Sequence, residues 1–164
     1  MNITFRKLKD NDNEYNQLYR WCQKEQVYEW FEQRPLSLNE IKNKYENKLN
    51  EGKQELLIIQ CNNTDIGLVQ IYKYENNNDI YEFDLFIGEE NYINKGIGTE
   101  IVNKITNYIY NNYNPTGIIL RPFKRNVRAI KCYQKCNYNI IDEYDGTDTL
   151  GNKEIYLVLQ NKKN

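Results

Sequence analysis

Apolar and polar residues alternate along this chain in two rhythms, and the points where one yields to the other mark its elements. Ile3 and Phe5 stand between polar neighbours, the period of a strand. Tyr15, Leu18, Trp21 and Cys22 fall at helical spacing. Just after Pro35, Ser37-Leu38-Asn39-Glu40 has the form of a capping box, and Ile41, Tyr45 and Leu49 extend the apolar stripe of a second helix. Glu55 to Cys61 predicts a mostly buried strand. Asn62-Asn63-Thr64-Asp65 predicts a turn, so Ile66 to Tyr74 is expected to return antiparallel as a hairpin.

A polar loop is expected around residues 75–79. Alternation then resumes from Ile80 to Ile87, with Ile80, Glu82, Asp84 and Phe86 on one face and Tyr81, Phe83, Leu85 and Ile87 on the other. Ile97, Ile101, Ile105 and Ile109 recur every four residues along a helix expected to end near Asn112. Pro115 and Gly117 mark a turn, and Ile118-Ile119-Leu120 a short buried strand. Asn126 is a good N-cap for a helix carrying Val127, Ile130 and Tyr133. Closing strands are predicted near Tyr138–Tyr144 and Glu154–Leu159. This order describes an α/β or α+β domain whose mixed, mostly antiparallel sheet has about seven strands flanked by about four helices. No internal repeat or linker interrupts it, so one domain over residues 1–164 is expected.

Composition narrows the chemistry. Lys and Arg number 22 against 23 Asp and Glu, so no global charge draws the chain to nucleic acid or an anionic membrane. Met1-Asn2-Ile3-Thr4-Phe5-Arg6 lacks the apolar core of a signal peptide, and no apolar run is long enough for a bilayer; a cytoplasmic location is the expectation. The absence of histidine removes Ser-His-Asp and Cys-His nucleophiles. Cys22, Cys61, Cys132 and Cys136 lack metal-ligand spacing, so reduced thiols and no metal are expected. Heavy use of Asn, Lys, Ile and Tyr matches an A+T-rich coding background, so the tyrosines as a group carry little functional weight.

The segment Glu90-Asn91-Tyr92-Ile93-Asn94-Lys95-Gly96-Ile97-Gly98-Thr99-Glu100-Ile101-Val102 stands apart, because two glycines open a helix. The first turn of a helix carries N–H groups without helical partners at its electropositive end, and a phosphate satisfies both if the backbone can come close. Glycine permits that approach, and Lys95 adds a positive charge. A dinucleotide fingerprint would need a glycine where Ile101 stands, and a Walker loop would need its lysine after the glycine. A tight strand-to-helix turn without a ligand has the same two glycines.

Residues on either side of the loop separate these possibilities. A strand bearing Asp84 precedes it, and Asn126-Val127-Arg128-Ala129-Ile130-Lys131-Cys132-Tyr133-Gln134-Lys135 lies beyond it. This combination resembles the GNAT superfamily of N-acetyltransferases, in which such a turn holds the pyrophosphate of acetyl-coenzyme A. The segments Asp84-Leu85-Phe86-Ile87-Gly88, Tyr92–Thr99, Arg128–Lys135 and Val27-Tyr28-Glu29-Trp30-Phe31 look like those of aminoglycoside 6'-N-acetyltransferases, in order and at similar spacing. Two positions depart from those patterns: Ile93 stands where the superfamily usually has Gln or Arg, and Leu85 where glutamine typically follows the aspartate.

The resemblance implies acetyl transfer from acetyl-coenzyme A to a primary amine, most closely the 6'-amine of an aminoglycoside; a protein N-terminus or another small amine is the alternative, and a non-catalytic acyl-coenzyme A sensor a second. By it, Asp84 is a general base or ammonium-orienting group, and Tyr133 an acid to the leaving thiolate. Ile93, Asn94, Lys95, Gly96, Ile97, Gly98 and Thr99 would hold the cofactor diphosphate and Asn126 the pantetheine arm. A backbone N–H at Phe86 or Ile87 would meet the developing oxyanion. A polycationic acceptor calls for acidic neighbours, drawn from Glu29, Glu32, Glu82, Asp84, Glu89 and Glu90, with Trp30 and Phe31 as an apolar wall. Asp142-Glu143-Tyr144-Asp145-Gly146-Thr147-Asp148 is expected between the last two strands, with Asp142 and Asp145 offered to the acceptor. Each has a plainer reading: solvated carboxylates, a core tyrosine, core aromatics. Monomer and homodimer both remain open.

Overall fold

The computed structural model describes residues 1–163, and its elements follow the two rhythms closely. They are β1 (Ile3–Lys7), α1 (Asp12–Cys22), α2 (Glu25–Tyr28), α3 (Leu38–Glu51), β2 (Gln54–Cys61), β3 (Thr64–Tyr74), β4 (Asn77–Ile87), a single 3-10 turn (Glu90–Tyr92), α4 (Ile97–Tyr113), β5 (Gly117–Leu120), α5 (Val127–Lys135), β6 (Asn139–Thr147) and β7 (Lys153–Lys162). The capping box forms as read, with Ser37 accepting from the Glu40 N–H and Glu40 from the Ser37 N–H. Asn126 caps α5 by accepting from the Ala129 N–H.

Three boundaries differ from the sequence reading. The first hairpin turn is only Asn62-Asn63, because both asparagines adopt positive φ (48° and 67°) and close the tightest kind of hairpin. The loop expected at 75–79 shrinks to Glu75-Asn76, since the polar residues from Asn77 onward extend β4 through backbone pairing. The acid-rich segment expected between the last strands lies instead within β6, as far as Thr147. It is an outer strand held by backbone bonds to β7, so its side chains need no apolar alternation. The fifth helix, α2, is a single turn.

The sheet has seven strands in the order β1-β2-β3-β4-β5-β7-β6. β5 runs parallel to β4, pairing Ile80 with Gly117 and Glu82 with Ile119, whereas β1 with β2, β5 with β7 and β6 with β7 are antiparallel. A parallel neighbour requires a long crossover, and α4 supplies it.

Two compact units divide the chain: Met1–Gln70 with Leu85–Tyr92, and Ile71–Asp84 with the described residues from Ile93 onward. In the first, Leu18 and Trp21 of α1, Ile41 and Tyr45 of α3, Ile58 and Phe86 share one core. In the second, Ile97, Ile101, Ile105 and Ile109 are at most 1% exposed, each burial stabilising by about 1.5–3 kcal/mol. The Tyr138 hydroxyl, 2.7 Å from that of Thr106, is satisfied within that core. No described helix is long and apolar enough to cross a membrane.

Candidate active site

The second unit contains the helix opening singled out in the sequence. Asn94 (φ 61°) and Gly96 (φ 76°) both take left-handed backbone, which turns the chain sharply into α4 at Ile97. A left-handed conformation costs an L-residue about 1–2 kcal/mol and costs glycine nothing, which accounts for Gly96. Gly98 needs another explanation. A Cβ placed on it would have the Cys132 Sγ as its nearest neighbour, at the ordinary contact distance of 3.6 Å. Neither packing nor φ demands glycine there, and a glycine inside a helix costs about 0.5–1 kcal/mol relative to alanine.

The same opening lacks a cap. α1, α3 and α5 each begin on a side chain that accepts from the first turn, namely Asn11, Ser37 and Asn126, but α4 begins on Gly96 with none. Its first-turn N–H groups are therefore presented without a side-chain acceptor, at the positive end of a 17-residue dipole. Arg128 of α5 donates to the Asn94 side chain at 3.1 Å and ties the loop to the neighbouring helix. Lys95 is exposed beside it. Backbone donors, a positive dipole end and an open Cβ position fit a diphosphate.

Asp84 and Tyr133 lie in this same unit. Asp84 is half-buried on β4 and accepts a 2.6 Å hydrogen bond from the Tyr72 hydroxyl of β3. Burial pushes the Tyr133 phenol well above its ordinary value, and the charge of Asp84 pushes it further. Tyr133 consequently keeps its proton throughout the neutral range.

Glu82 is corrected by the structure. It was expected among the open acidic residues, yet it is 2% exposed and grips Arg121 with both oxygens at 2.8 Å. Burial raises its carboxyl and the guanidinium beside it partly offsets the rise. Its charge is already matched, so it offers no anion to a ligand. On β6, alternation puts exposed Asp142 on the face of Tyr144, which stacks on Tyr156 with centroids 5.0 Å apart. Asp145 leaves on the opposite face with Glu143, which pairs with Lys124 at 2.9 Å.

The remaining candidates belong to the first unit. Glu29, Trp30 and Phe31 are half-buried just past α2, and the Phe31 ring packs edge-on against Phe86 at 5.6 Å. Glu32 is paired with Lys44 at 2.7 Å, and Glu89 accepts from the Trp21 indole at 2.8 Å. Glu90 is exposed. Phe86 is buried by its ring, while its carbonyl lies so close to Gly67 that a Cβ there would come within 2.1 Å. The Gly88 and Glu89 N–H groups both turn to the Ile66 carbonyl, at 2.7 and 3.2 Å, as the chain leaves Ile87.

Two residues escaped the sequence reading, Tyr72 and Arg121. Tyr72 was one tyrosine among 15. Its signal was a strand position alternating with Gln70 and Tyr74. Arg121 comes directly after the wholly apolar Ile118-Ile119-Leu120, a position where a guanidinium must find a partner.

The profile of the acetyltransferase (GNAT) domain matches residues 10–146. The chain belongs to the GNAT acetyltransferase family. Within it, aminoglycoside N(6')-acetyltransferase type 1 of Klebsiella pneumoniae is 26% identical over 161 residues, covering 90% of this chain and 77% of the relative. Spermine/spermidine N(1)-acetyltransferase of Bacillus subtilis is 29% identical over 79 residues, 48% of this chain and 52% of the relative. Among solved GNAT-like structures, aminoglycoside acetyltransferase AAC(6')-Ib in complex with coenzyme A and kanamycin superposes with a TM-score of 0.80 at 23% identity, covering 96% of this chain and 94% of that one. Spermidine N-acetyltransferase from Vibrio cholerae, in complex with coenzyme A and spermine, superposes with a TM-score of 0.82 at 15% identity, covering 98% and 95%. These last two likenesses establish a common fold.

Proposed function

We propose that this GNAT protein moves the acetyl group of acetyl-coenzyme A to a primary amine of a polycationic small molecule, with the 6'-amine of an aminoglycoside as the first acceptor to test. The observation that carries the reading is the uncapped mouth of α4, where Gly98 keeps open a Cβ position that nothing in the protein needs. The backbone from Ile93 to Thr99 holds the diphosphate, and Asn126 faces the pantetheine arm while capping α5.

Bound acetyl-coenzyme A supplies the thioester carbonyl and a thiolate leaving group. The residues of the chain divide the remaining work. Asp84 meets the acceptor ammonium, orients it and receives its proton directly or through a water. Tyr133, which burial and Asp84 keep protonated, donates a hydrogen bond to the departing sulfur as its charge develops. A backbone N–H at Phe86 or Ile87 meets the charge that develops on oxygen. On the acceptor side, Glu29, Trp30, Phe31 and Asp142 remain the candidates.

The relatives named for aminoglycoside acetylation support the acceptor class. The shorter match to a spermine/spermidine acetyltransferase favours polyamines as a second acceptor. Thiol release from acetyl-coenzyme A, followed with kanamycin, spermidine and a peptide amine, tests both. Release with kanamycin or spermidine is the expected result, and release confined to the peptide refutes the polycationic acceptor. Binding heat with coenzyme A but no release for any amine would leave a sensor. Asp84→Asn should lower turnover at least about 100-fold with the coenzyme A Kd within about twofold of the parent.

A further inference from the structure

We infer that Tyr72 is a positioning residue for the reaction, holding the Asp84 carboxylate in the orientation from which it meets the incoming ammonium. The inference rests on the assignment of Asp84 given above. It starts from a contrast on one strand. Glu82 and Asp84 stand two residues apart on the same face of β4, and each is held by a side chain from a different element. Glu82 is gripped by the Arg121 guanidinium, whose positive charge cancels its own. Asp84 is gripped by the Tyr72 hydroxyl, which donates at 2.6 Å, the short distance of an O–H bonded to an ionised oxygen.

The difference in partner chemistry has a consequence for catalysis. A guanidinium fixes a carboxylate and neutralises it. A phenol fixes a carboxylate without contributing a positive charge of its own. Burial and the neighbouring Asp84 and Glu82 charges push the Tyr72 phenol far above its ordinary value, which keeps it a donor at every pH where the enzyme would work. Arg121 lies over the Tyr74 ring at 5.3 Å while bonded to Glu82, so the acidic neighbour of Asp84 on this strand is matched by a cation.

A positioning role makes a claim that packing does not: the Tyr72 hydroxyl should matter only through Asp84. Tyr72→Phe removes the hydroxyl and keeps the ring. In the otherwise unchanged chain it should lower kcat/KM for the amine about tenfold, leaving the coenzyme A Kd within about twofold. Placed on Asp84→Asn, the same substitution should change the residual rate less than about twofold. Equal losses in both backgrounds, or a Tyr72→Phe rate within twofold of the parent while Asp84→Asn is inactive, overturn the positioning role alone. An Asp84→Asn chain that turns over normally overturns the Asp84 assignment and the Tyr72 role with it. Melting temperatures of all three variants within about 3 °C of the parent show that the rates are compared on folded protein.

Discussion

Gly98→Ala should move stability and ligand affinity in opposite directions, which makes it the sharpest test of the α4 mouth. In the free protein the new methyl meets nothing closer than the Cys132 Sγ at 3.6 Å, and the helix gains about 0.5–1 kcal/mol from losing a glycine. For a chain of 164 residues that gain corresponds to a melting temperature raised by about 1–4 °C. The methyl would project into the space through which a diphosphate approaches the first-turn N–H groups. Lengthening one charge-assisted hydrogen bond beyond use costs about 1.5–3 kcal/mol, or roughly 10- to 150-fold in Kd. Thermal melts without ligand and calorimetry with coenzyme A measure the two effects separately. Gly96→Ala is the contrast: its φ of 76° makes any L-residue strained, so its melting temperature should fall. A more stable Gly98→Ala chain with unchanged coenzyme A affinity would refute the claim that this glycine makes room for the ligand.

Packing and charge set three further outcomes. Gly67→Ala sets a methyl 2.1 Å from the Phe86 carbonyl, so backbone must shift; urea unfolding should show a loss of about 1–3 kcal/mol. Arg121→Met leaves Glu82 buried without its cation and should cost about 3–5 kcal/mol, most of it recovered in the Arg121→Met/Glu82→Gln double variant. Burial alone would raise the Asp65 carboxyl, but hydrogen bonds from Arg6, Gln17 and Gln60 outweigh it and bring it down to about 2. A carboxyl lowered by folding stabilises above its unfolded value and loses that contribution as pH falls through its folded one. Unfolding measured from pH 5 to pH 2 should therefore show roughly 2 kcal/mol draining away below about pH 4, a decline that flattens in Asp65→Asn.

Much of the fold was legible because it rests on interactions a few residues long. The Ser37–Glu40 capping box, the Asn126 cap, the four-residue recurrence of isoleucine in α4 and the strand alternation of 80–87 all formed where the pattern placed them. The pattern misled where burial does not govern. β6 runs past its predicted end at Tyr144 to Thr147, carrying Asp145 on an outer strand whose backbone pairing needs no apolar side chains. The turn at 75–76 was overestimated because polar residues can pair through their backbones as well as apolar ones can.

At the candidate site, residue types showed what each group can do, and the fold showed which are already engaged. Two glycines before a helix, an aspartate on the preceding strand and a tyrosine on a later helix can be read from the chain, since each carries its chemistry in its own side chain or backbone. Whether a carboxylate is open or committed depends on partners far along the chain: Arg121 reaches Glu82 across 39 positions, and Tyr72 reaches Asp84 from the neighbouring strand. Sequence periodicity acts over a turn or a pleat. The choice of which acid meets a guanidinium and which a phenol came only from the strand order that sets β3, β4 and β5 side by side, an outcome of burial summed over the whole sheet.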